Sequence, residues 1–116
     1  MLDQRPREML MDNDGLASIV HAGLATPDAL SCVDWLRCRT HIFLQFNAWE
    51  YLYYQHRDDS IPKELWVGTD AFMRSEVETK PGLTRFWSEF QRSFDEPFHS
   101  YVAGEFAKKV ASPRVA

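Results

Sequence analysis

Three charged side chains, Arg39, Glu50 and Arg57, stand inside an aromatic run. With Trp35 at 0° on a helical wheel of 100° per residue, Ile42, Phe46, Trp49 and Tyr53 fall within about 40° of it. Arg39, Glu50 and Arg57 fall at about 40 to 60°, in the same stripe. A buried carboxylate without a partner is costly or becomes neutral, so Glu50 is expected to have one. Arg57 is two turns away, and Arg74 or Arg85 could reach it from a neighbouring helix. One reading is structural: Glu50 bridges an arginine and tyrosine hydroxyls and fixes helix register. That reading predicts that Glu50→Gln costs a few kcal/mol. The other is a pocket in which Glu50, Asn47, Tyr54 and an arginine, Arg57 or Arg39, hold a small polar ligand or do enzymatic work.

Other chemistry-bearing residues are sparse. Glu96 and His99 match the E-x-x-H spacing of di-iron bundles, but only one copy is present and it opens a helix beside Pro97. The expected role of Glu96 is therefore to favour a helix N-terminus. His21, His41, His56 and His99 lack H-x-x-x-H spacing, so no metal site is expected. His41 follows Cys38 by three residues, a spacing more often accidental than catalytic. Cys32 and Cys38 lie about 9 Å apart in helical rise, which excludes a disulfide within one helix. Two free thiols fit a reducing cytoplasm. No serine elbow, phosphate loop or dinucleotide fingerprint occurs, so no cofactor is expected.

The elements that position these residues follow from periodicity and breakers. Leu16, Ile19, Val20 and Leu24 predict a short helix over 15–24 with Asp14 as its N-cap. Thr26-Pro27-Asp28 is a turn. Ser31 followed by Asp34 resembles a capping box, and no proline or glycine intervenes before His56. One helix over 32–57, about 39 Å long, is expected to run the length of the domain. Asp58-Asp59-Ser60 ends it and Pro62 opens the next. Leu65, Trp66, Thr69, Phe72, Met73, Glu76 and Val77 mark the face of that third helix. After Thr79-Lys80-Pro81-Gly82, the stripe Leu83, Phe86, Trp87, Phe90 and Phe94 predicts a fourth, and Asp95-Glu96-Pro97 precedes a fifth with Phe98, Tyr101, Val102 and Phe106. No period-2 alternation appears. The expected fold is all-α: a five-helix, bundle-like single domain around the long helix. Residues 1–14 are expected to be a partly ordered lead-in, 15–106 the helical domain, and 107–116, with Lys108, Lys109 and Arg114, a frayed, solvated basic tail.

The chain has 116 residues, 13 basic against 17 acidic, a net charge of −4. This disfavours a phosphate-tracking nucleic-acid partner. No stretch is apolar enough for a signal peptide or a membrane span. Sixteen residues are aromatic, all between Trp35 and Phe106. Five short helices carrying so many aromatics are expected to leave an apolar patch, hence a self-associating interaction or sensory module.

Around Phe46-Asn47-Ala48-Trp49-Glu50-Tyr51, with Tyr54-Gln55, Leu65-Trp66, Phe86-Trp87 and Phe94 to Val102, the chain resembles a family of small helical bacterial proteins, mainly proteobacterial, without established activity. The resemblance covers about residues 15–102. It implies an all-α fold and supplies no catalytic residues. Some members carry an N-terminal transmembrane segment, whereas the N-terminus here is short and acidic.

Overall fold

A computed structural model describes residues 5–111, with side chains over residues 15–109. The chain forms five α-helices: α1 (Arg5–Ala25), α2 (Cys32–Arg57), α3 (Lys63–Thr79), α4 (Pro81–Phe90) and α5 (Phe98–Ala111). Single 3-10 turns at Pro27–Ala29 and Gln91–Ser93 complete the order, and no strand occurs among the described residues. The all-α, bundle-like reading is therefore correct.

Helix α2 has the expected bounds, and its ends show why. The Ser31 hydroxyl accepts the Asp34 N–H at 3.1 Å, satisfying one orphan donor of the first turn. Its C-terminus closes on a Schellman pattern: Asp59 N–H donates to the His56 carbonyl and Ser60 N–H to the Gln55 carbonyl. Asp59 takes the left-handed position at φ 56°, which aspartate tolerates better than most residues. His56 and Arg57 lie in the last turn, where positive charge suits the dipole.

Three boundaries differ from expectation. Helix α1 begins at Arg5, so Asp14 lies within it and is not an N-cap. Pro6 suits a first turn and nothing between it and Gly15 breaks a helix. Helix α4 stops at Phe90, and a 3-10 turn intervenes before Phe94. The turn keeps Phe94 buried although it lies beyond the helix that its spacing suggested. Helix α5 continues through Ala111, so residues 107–111 are helical. Lys108 pairs with Glu105 at 2.8 Å, and Lys109 donates to the Val77 carbonyl in the last turn of α3 and to Thr84. Arg114 lies outside the described residues.

The core is aromatic and centres on α2. The Phe46 ring meets Phe86 of α4 at 4.9 Å and also contacts Trp49, Trp87 and Phe94. Trp49 meets Phe98 and Tyr101 of α5, and Tyr53 meets Trp66 of α3. Edge and tilted contacts dominate, as ring quadrupoles favour. The aromatic-free α1 packs outside this core, against α2 and α4. It comes close because of two glycines. A Cβ on Gly82 would overlap the Gly23 carbonyl, and one on Gly23 would overlap the Cys38 side chain.

Candidate functional site

The charges embedded in α2 do not form the expected cluster. Glu50 is half-buried, and among the described residues no arginine or tyrosine hydroxyl pairs with it. Burial and the neighbouring Asp95 push its carboxyl above the ordinary value. Arg57 is exposed, with its guanidinium 5.9 Å from the Tyr53 and Tyr54 ring centroids. Arg39 lies over the Phe90 ring at 4.9 Å. Both guanidiniums thus face aromatic rings, and the charge of Arg39 also helps to lower the Glu89 carboxyl. Asn47 is exposed, and the Tyr54 hydroxyl accepts the Phe98 N–H at 3.4 Å. Among the described residues no hydrogen bond joins any two of Arg39, Asn47, Glu50, Tyr54 and Arg57. Among the described residues the structural bridge expected of Glu50 is absent.

The other arginines are engaged elsewhere. Arg85 donates to Glu89 at 3.1 Å and to the Pro27 carbonyl at 3.0 Å, and lies 4.3 Å over the Trp35 ring. Trp35 Nε1 donates to the same Glu89 at 3.0 Å. These hydrogen bonds pull the Glu89 carboxyl below its ordinary value, against burial, which is the largest single influence and raises it. The cluster ties the turn before α2 to α4.

Arg74 serves a centre that periodicity overlooked. Asp70, on α3, is the buried charged residue of the described chain. It accepts from Trp49 Nε1 at 3.1 Å, from the Tyr101 hydroxyl at 2.6 Å and from Arg74 at 3.5 Å. Arg74 also donates to Glu105 at 3.0 Å. Burial, then the bond to Asp70, pushes the Tyr101 phenol well above its ordinary value. Helices α2, α3 and α5 are therefore joined through one carboxylate. The buried face of α3 is Trp66, Asp70, Met73 and Val77, at i, i+4, i+7 and i+11. The expected face included Leu65 and Phe72, which are exposed. Asp70 stands at about 40° from Trp66 on the helical wheel, at the edge of the apolar stripe that holds Met73 and Val77, and that placement is the signal that marks it.

Glu96 accepts the Ser100 N–H at 3.0 Å at the start of α5, which matches its capping role. His99 lies 3.6 Å from Glu96 and 3.2 Å from Gln91. Among the described residues no group of three or more His, Cys, Asp or Glu could hold a metal ion, and no helix is long and apolar enough to cross a membrane.

The least satisfied surface is the outer side of α2. Val33, Leu36, Leu44 and Tyr51 are 61, 48, 63 and 63% exposed. With Thr40 and Asn47 they follow one another at steps of three or four residues, on the face opposite Ile42, Phe46 and Trp49. Helix α2 is thus apolar on both sides, and the fold covers one. Leu65, Val67 and Phe72 add exposed apolar surface on α3. No family model, curated protein or solved structure matches the chain.

Proposed function

We propose that this chain is a non-catalytic helical interaction module, related to the small bacterial helical proteins that it resembles, and that it associates through the outer side of α2. The supporting observation is the row Val33, Leu36, Leu44 and Tyr51, left in water on a helix whose opposite side is fully packed. The two free thiols, one of them buried, support a reducing compartment such as the cytoplasm. Sedimentation equilibrium from low micromolar to near-millimolar concentration tests the self-associating form of this reading. The expected result is a mass that rises with concentration, and a monomer throughout for the Leu44→Glu, Tyr51→Glu variant with an unchanged circular dichroism spectrum. A strict monomer at the highest wild-type concentration would remove self-association.

A second reading, a ligand site at Glu50, is favoured by one observation: a half-buried carboxylate that pairs with no cation among the described residues. It lacks convergent donors from Asn47, Tyr54 and Arg57.

A further inference from the structure

We draw no further inference here: the strongest candidate, the exposed apolar row Val33, Leu36, Leu44 and Tyr51 on the outer side of α2, carries nothing beyond the association already proposed, because nothing in the structure shows what covers it.

Discussion

At the scale of single residues, two carboxylates behave in opposite ways. Asp70 is buried and accepts three donors, two of them, Trp49 Nε1 and the Tyr101 hydroxyl, inside the core. Removing it strands those donors, which costs more than the bonds themselves contribute. Asp70→Leu is expected to lower stability by about 3 kcal/mol in urea denaturation, and by less in a Tyr101→Phe background, where one stranded donor is gone. Glu50 has the reverse balance. Its carboxyl is raised by burial and by Asp95, so the folded chain holds that proton more tightly than the unfolded one. Stability from this group is complete below the unfolded pKa and falls as pH rises through the folded one. Glu50→Gln is therefore expected to raise the melting temperature at pH 7, measured at low micromolar concentration. The difference should vanish below about pH 4. This is the opposite sign to the loss that a buried Glu50–arginine pair would produce. The sequence showed that a charge sits in the α2 stripe. Whether a cation faces it depends on neighbouring helices, which hold Arg74 and Arg85 on other partners.

At the scale of elements, α2 was legible at both ends because its signals are local: a serine cap, an unbroken run, and an aspartate pair that supports a left-handed exit. The start of α1 and the end of α4 were less so, since apolar spacing alone does not say where a helix stops. Phe94 shows the difficulty: it keeps the period of α4 across a 3-10 turn and reaches the core by another path. The approach of α1 to α2 and α4 depends on two glycines that no helical pattern requires. Gly82→Ala is expected to cost about 1–3 kcal/mol, because the group it would meet is the backbone of Gly23 and cannot swing aside. Gly68→Ala, in the interior of α3 where the added methyl meets open space, is expected to gain about 0.5–1 kcal/mol. Chemical denaturation of the two variants beside the parent chain separates packing from propensity.

For the whole molecule, the aromatic cluster makes the helices depend on one another. Phe46 and Trp49 of α2 touch rings of α4, α5 and the turn between them, and Tyr53 extends the contact to Trp66 of α3. No pair of helices holds a separate core. Unfolding is expected to be one cooperative transition, with tryptophan fluorescence and far-ultraviolet circular dichroism changing at the same urea midpoint. Separate midpoints would mean that α1, which contributes no aromatic ring to the cluster, unfolds by itself.

The sequence by itself determined the helices, their breaks and the aromatic character of the core, because spacing, caps and prolines act within a few residues of one another. Tertiary structure decided which carboxylate is buried and which distant donors it gathers. Those outcomes depend on groups 20 or more positions apart, as with Trp49 and Asp70. Spacing marked the inner face of α2 in advance; whether its other side also finds a cover depends on how many helices arrive. Here the neighbours cover Ile42, Phe46 and Trp49, and Leu44 and Tyr51 are left outside.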